Sequence, residues 1–385
     1  MKICEEKAVI SFIRYCISDS QRIPSITDWD ALFLFMRQQA LLGVGFCGIE
    51  KMKAEGADVP KPVVLKWYAA SENIRKRNEV LNRRCVELVK RLKEDGFECC
   101  ILKGQGNALM YPNPYKRMSG DIDVFVMPVG NVNDDPSLNC SISIEQRRRV
   151  MNYVRRMFPL AKIRYQHIDY PVFPDVEVEM HFIPTAKNNP IYNRRLQRWT
   201  EKQMAEQCSH FVELPEGAGK IPVPTWEFNI VYQLSHMMHH FFDEGIGLRQ
   251  LMDYYYLLRT TDNRQQTTDS RRRTTDNRSM VDTLRHLNLC HFAGAVMWVL
   301  HEVMGLEECL FIVPADEWRG KLLLEEIIKG GNFGKYSGLT NHGMGTKYFL
   351  KIKRNLCFVR AYPAEALCEP VFRTWHFFWR MWHKY

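Results

Sequence analysis

The stretch from Ile101 to Met127, ILKGQGNALMYPNPYKRMSGDIDVFVM, constrains this chain more than any other. An apolar run ends at a Lys-Gly turn, a short helix stops at Pro112, and a second apolar run opens on Asp121 and Asp123. Side chains alternate along a strand, so the two aspartates share one face while Ile122, Val124 and Val126 anchor the other in a core. Two carboxylates about 6.6 Å apart along an apolar strand repel and need a compensating cation. Mg²⁺ meets that need, because it is typically held by one or two carboxylates together with substrate phosphates. The alternative is an ion-paired strand neutralised by Lys116 and Arg117, just upstream.

A second acidic strand shifts the balance. In Val176–Phe182, VEVEMHF, the side chains of Glu177, Glu179 and His181 alternate with apolar ones and project from one face. An edge strand facing water shows the same alternation. Set beside the first strand, however, it predicts a cluster of up to four carboxylates and a histidine, unstable without metal. The turn Lys103-Gly104-Gln105-Gly106 follows a strand and opens a helix. Glycines there let backbone N–H groups approach a phosphate, aided by the helix N-terminus, and Lys103 would neutralise its charge. The turn is not a P-loop, since the GxxxxGK[ST] spacing is absent.

Around this stretch the periodicity predicts an α+β fold. Helices are expected over 31–52 and 63–95, the second capped by Gly96. Strands follow at 97–102 and 122–127, separated by a helix over 104–111. The segment 128–143 reads as a loop rich in Asn131, Asn133, Asp134, Asp135 and Pro136, followed by a helix over 144–158. Strands at 162–167 and 175–183 complete a small mixed sheet, and 211–223 suggests a hairpin around Glu216-Gly217-Ala218-Gly219. Beyond it the pattern is helical: 225–242, 247–259, 280–305 and the segment past Trp318. The expected organisation is an N-terminal helical segment (1–95), a mixed-sheet catalytic domain (96–223) and a helical C-terminal domain (224–385).

The C-terminal domain carries an insertion at 260–280, three tandem units TTDNRQQ, TTDSRRR and TTDNRSM. They supply no apolar a and d positions before Met280, so a disordered segment or solvated loop is expected rather than a coiled coil.

Composition excludes several classes. No apolar run reaches the ~18 residues needed to span a bilayer. The opening MKICEEKAVISFIRYC lacks a clean apolar core and a cleavage site, so secretion is not expected. Twelve cysteines without framework spacing point to reduced thiols and a cytoplasmic setting. The net charge of +9 favours anionic partners, but part of it lies in the repeat, and no stable nucleic-acid complex is expected.

Leu102-Lys103-Gly104, then Tyr111, Pro112, Arg117, Gly120-Asp121-Ile122-Asp123 and finally Glu179-Met180-His181 resemble a bacterial family of uncharacterised nucleotidyltransferases. That family belongs to the polymerase-beta-like superfamily. The resemblance covers residues 97–183, with a looser continuation through 236–258, and departs from the usual Gly-Ser or Gly-Gly in having Gly104-Gln105. It implies that Asp121, Asp123 and Glu179 are both metal ligands and catalytic residues for two Mg²⁺ (or Mn²⁺) ions. It further implies that Lys103, Gly104, Gln105 and Arg117 hold the phosphates of an NTP such as ATP, and that an NMP passes to a hydroxyl. The acceptor is open: a small molecule, glycan, RNA or protein. Glu177 rivals Glu179 as third carboxylate. Two other functions stand beside this one: a phosphocholine-type phosphodiester transferase acting on a glycan, and an inactive nucleotide-binding module.

Three further features belong to the helical half. His236, His239 and His240 face the cleft or the helix surface, and without HExxH they do not make a zinc motif. Arg249 and Asp253 are spaced for an i,i+4 ion pair. In 372–385 one helical side carries Phe372, Trp375, Phe378, Trp379 and Trp382, the other Arg373, His376, Arg380 and His383. Such a helix either closes the domain with its aromatic face or makes weak peripheral contact with a membrane.

Overall fold

The computed structural model describes residues 3–18, 22–129, 139–265, 270–336 and 344–382. The Asn/Asp cluster at 131–136 and His383 lie outside the described residues. Four helices open the chain: α1 Ile3–Ile17, α2 Trp29–Gln38, α3 Leu42–Ala54 and α4 Lys61–Glu94. The single helix expected over 31–52 is broken. Ala40 takes a positive φ of 56°, and the chain restarts at Leu42. The break turns Gln39 inward, where its amide donates to Ile327 O (3.1 Å) and accepts from Leu248 N (2.9 Å). Apolar periodicity runs through the break, so only the buried amide's long-range partners account for it.

The sheet has four strands in the order β1-β2-β4-β3: β1 Phe97–Ile101, β2 Ile122–Pro128, β3 His167–Asp169 and β4 Val178–His181. Between β1 and β2 lie α5 Gln105–Ala108 and a 3₁₀ turn, Pro114–Lys116. The central pair β2 and β4 is parallel, with α6 Asn139–Met157 in the connection, while β1 and β3 run antiparallel at the edges. The strand expected at 162–167 lies later than predicted, with only an isolated bridge from Ile163 to Ile168 preceding it. One sheet face packs Ile122, Val124 and Val126 against Leu88 and Leu92 of α4 and Val154 of α6.

The chain continues through α7 Pro190–Glu201, α8 Met204–Ser209 and a hairpin of β5 Phe211–Leu214 and β6 Gly219–Pro222. Then come α9 Trp226–Asp243, α10 Leu248–Gln265, α11 Ser270–His286, α12 Cys290–Val299 and α13 Glu317–Gly330. The last helices are α14 Met344–Leu356 and α15 Pro363–Trp382. Phe228 and Tyr232 of α9 cover Phe125 on the second sheet face, and leave the start of β2 open. Adjacent Cys99 and Cys100 point into the two different cores, as the alternation requires.

Helices from both ends of the chain share one apolar core, with Phe12, Met36 and Trp67 packed among Phe241, Leu251 and Phe292. The repeat expected as a loop is instead drawn into helix ends: α10 runs to Gln265 and α11 starts at Ser270, with 266–269 outside the described residues. Helix extension adds one bond per residue once a buried segment has nucleated it, and both flanks supply such a segment. Among the described residues no single helix is long and apolar enough to cross a membrane. Along α15, Leu367, Val371, Trp375, Phe378 and Trp382 form an exposed stripe, whereas Phe372, Arg373 and His376 line a pocket. Phe372 and Trp375 pack on Tyr165 and Trp379 on the sheet core, so part of the aromatic face closes the fold there, while Phe378 and Trp382 stay exposed.

Candidate active site

The site begins at Gly104. Its φ of 58° and ψ of −110° lie where only glycine is comfortable, and the chain reverses there from β1 into α5. Because β1 lies antiparallel to β2, the residue leaving β1 arrives beside the start of its neighbour. The Lys103 ammonium donates to Asp123 Oδ2 (2.9 Å) and to Nε2 of His236 on α9 (2.9 Å).

Strand register does the rest. Asp123 pairs with Glu179 across β2 and β4, and Asp169 with Glu179 across β3 and β4. In-register partners project from the same face, so the acids form a row. Oxygen atoms of Asp121, Asp123 and Glu179 all lie within 4.8 Å of one another. His181 Nε2 lies 3.0 Å from Asp123 Oδ1 and 3.5 Å from Glu179 Oε2. Glu177, the rival third carboxylate, precedes β4 and lines the same pocket, but falls outside that close group.

Electrostatics follow from this crowding. Burial pushes the Asp123 carboxyl up, but Lys103 and His181 outweigh it and hold it well below the usual carboxylate range. Asp121 is raised, first by the charge of Asp123. Burial opposes ionisation of Glu179 as well, yet the His181 hydrogen bond leaves it lowered. His181 loses basicity to burial and regains more from Asp123 and Glu179, ending at about 9. His240 is pushed down to about 3 by burial, and burial also lowers His236 and His239, so α9 presents neutral imidazoles.

The predicted residues do not all meet. Lys103 lines the pocket with the acids, while Gly104, Gln105 and Arg117 do not. Gln105 is buried, its amide donating to Asn82 and to Asn78 O. Arg117 is 3% exposed and grips Asp253 with two bonds of 2.7 Å, while Tyr111 donates to the same carboxylate at 2.7 Å. That pairing corrects two expectations. Lys116 and Arg117 do not neutralise the aspartates; Lys103 and His181 do so at Asp123. Asp253 does not pair with Arg249, because a bidentate guanidinium from another element is the stronger partner. Arg249 instead donates to Met118 O (3.0 Å), lines the pocket and keeps an unpartnered Nε.

The pocket, about 810 Å³, lies between the acidic strand ends and α9, with α15 contributing Phe372, Arg373 and His376. Sequence reasoning missed His167 and Asp169, although His-Ile-Asp repeats the polar–apolar–polar alternation of β2. It also missed Arg164 and Phe333, which no local pattern marks, and gave Phe372 only as part of an aromatic helix face, not as a pocket residue.

Residues 25–134 and 142–305, more than half of the chain, match the model of a family described as an uncharacterised nucleotidyltransferase. The chain belongs to that nucleotidyltransferase family. No curated protein and no solved structure matches. The match spans both sides of the pocket, since it takes in the acidic strands and also α9 and α10. The donor chemistry of this acidic cluster fits a divalent metal: three hard anionic oxygens converge beside a water-accessible pocket.

Proposed function

We propose that this nucleotidyltransferase moves a nucleoside monophosphate from an NTP to a hydroxyl of an acceptor seated between the sheet and α9. The convergence of Asp121, Asp123 and Glu179 at one end of the pocket carries the reading. These carboxylates would hold Mg²⁺ or Mn²⁺, which when bound supplies charge neutralisation at the phosphates. Lys103 gives the triphosphate a cation and Gly104 turns the chain so that Lys103 reaches it; Gln105 and Arg117 support that turn and loop from behind. In the transfer the acceptor oxygen bonds to the α-phosphorus and the bond to the β-phosphate bridge oxygen breaks. Pyrophosphate leaves with that electron pair, and the hydroxyl proton passes to Glu179.

The test incubates the protein with each α-labelled NTP, Mg²⁺ or Mn²⁺ and a cell extract. Label should appear on one acceptor class with wild type and vanish with Asp123→Asn. Label reaching nothing with any NTP, while a nucleotide-alcohol donor is consumed, would replace this reading with phosphodiester transfer. Binding of NTP without turnover of either donor would replace it with a nucleotide-binding module.

The exposed stripe of α15 supports weak peripheral contact with an anionic lipid surface, toward which a chain of net charge +9 is drawn. Co-sedimentation with anionic vesicles, lost in Trp375→Ser/Trp382→Ser, checks it. Ten cysteines, among them Cys16, Cys85, Cys100 and Cys208, are free thiols, which supports a cytoplasmic setting.

A further inference from the structure

Beside the three carboxylates lies a set of donors of different chemistry. Residues paired across β3 and β4 place His167 opposite His181, and their ring centroids are 4.9 Å apart. Glu179 Oε2 lies 3.2 Å from His167 Nδ1 and 3.5 Å from His181 Nε2. A tetrahedron with bonds of ~2.1 Å, the length of a zinc–imidazole bond, has edges of about 3.4 Å. The two separations bracket that edge.

The outer atoms of both rings fit as well. His181 Nδ1 is 3.3 Å from Ile183 O, and a carbonyl only accepts, so Nδ1 keeps its hydrogen and a bound cation would take the place of the Nε2 proton that now faces Asp123 and Glu179. His167 Nε2 is buried without a hydrogen-bond partner, and the nearest carboxylate oxygen, Asp169 Oδ1, lies 3.9 Å away. A carbonyl already orients His181, and a carboxylate 3.9 Å behind His167 is close enough to be drawn onto its Nε2 hydrogen when Nδ1 ligates a cation; such outer partners orient metal-binding histidines.

We infer a second cation site formed by His167, Glu179 and His181, which takes a transition-metal ion (Mn²⁺, Fe²⁺, Co²⁺ or Zn²⁺) in preference to Mg²⁺. Imidazole nitrogens suit these ions, whereas Mg²⁺ demands oxygen ligands in near-octahedral geometry. Three protein donors leave a coordination position open, as catalytic rather than purely structural sites do. Glu179 is shared, so the ion would sit against the carboxylate site. The inference rests on these side chains alone and stands whether or not the chain transfers a nucleotide.

The experiment titrates the metal-free, full-length protein with Co²⁺, without nucleotide, and follows the visible ligand-field bands of a low-coordinate ion. Saturable bands are expected in wild type. They should persist in Asp121→Asn and under about 100-fold excess Mg²⁺, the excess a nitrogen-rich site withstands. His167→Gln and His167→Ala should weaken binding at least ~100-fold, and Asp169→Asn, which only touches the ring from behind, roughly 10-fold. Circular dichroism confirms folding, and if both His167 variants unfold, Asp169→Asn and the Mg²⁺ competition decide. Absent bands in wild type, bands unaffected by the His167 and Asp169 changes, or bands displaced by Mg²⁺ would overturn the inference.

Discussion

The Lys103 ammonium lies 2.9 Å from Asp123 Oδ2, and together with His181 it gives the buried aspartate the positive charge that Lys116 and Arg117 of the adjoining loop do not. Asp123 is 5% exposed and Lys103 20%, so the pair is screened little on one side and partly on the other. Lys103→Met should destabilise the metal-free protein by about 2 kcal/mol, the usual loss for a broken buried pair reduced for that exposure. Mn²⁺ should then raise the unfolding midpoint more in the variant than in wild type. Thermal unfolding in chelator and in Mn²⁺ checks this, and equal midpoints in chelator would refute it.

Arg117 and Asp253 are both nearly excluded from water and joined by two bonds of 2.7 Å. Asp253→Leu leaves the guanidinium buried and unpaired and should cost about 3–5 kcal/mol. The double change Arg117→Met/Asp253→Leu should recover most of that loss, because neither charge then remains. Urea unfolding of the single and double variants measures the difference.

Glu179, and not Glu177, belongs to the close carboxylate group. Under the proposed activity, Asp123→Asn and Glu179→Gln should each lower label transfer by about three orders of magnitude, equivalent to ~4 kcal/mol in the barrier. Glu177→Gln should change it less than about tenfold, which corresponds to less than ~1.4 kcal/mol. Chelation should abolish transfer and Mg²⁺ or Mn²⁺ restore it. Rate measurements under saturating NTP rank the three variants.

Lys187 is buried against Glu365 of α15, 3.8 Å away, and against Asn288 O at 3.3 Å. Burial pulls its ammonium down from 10.5 to about 8, with Glu365 opposing. Between those values the unfolded chain binds more protons than the folded one, so this group makes stability rise with pH. Its contribution is at most about 1.4 kcal/mol per pH unit over that window. Lys187→Met removes it, and denaturation curves at pH 8 and pH 10 for both proteins give the difference.

Legibility in the sequence followed the range of the interaction. The acidic face of β2 is a two-residue period, and so is that of β4; both were readable, as was the turn that delivers Lys103. The break between α2 and α3 was not, because Gln39 is placed by Ile327 and Leu248, far along the chain. Asp253 shows the same limit. Its neighbour at i,i−4 is Arg249, the partner local spacing suggests, yet the residue it holds lies 136 positions away.

By itself the sequence determined the strands β1, β2 and β4, the acidic face of β2 and β4, and a lysine-bearing strand end followed by a glycine turn. These depend on backbone geometry that repeats every two or four residues. Only the tertiary structure decided that β4 lies parallel to β2 with Glu179 opposite Asp123, that His167 faces His181, and that α9 closes the pocket. Register between strands distant in the chain is set by which apolar faces can be buried together, and that is a property of the whole core rather than of any local period.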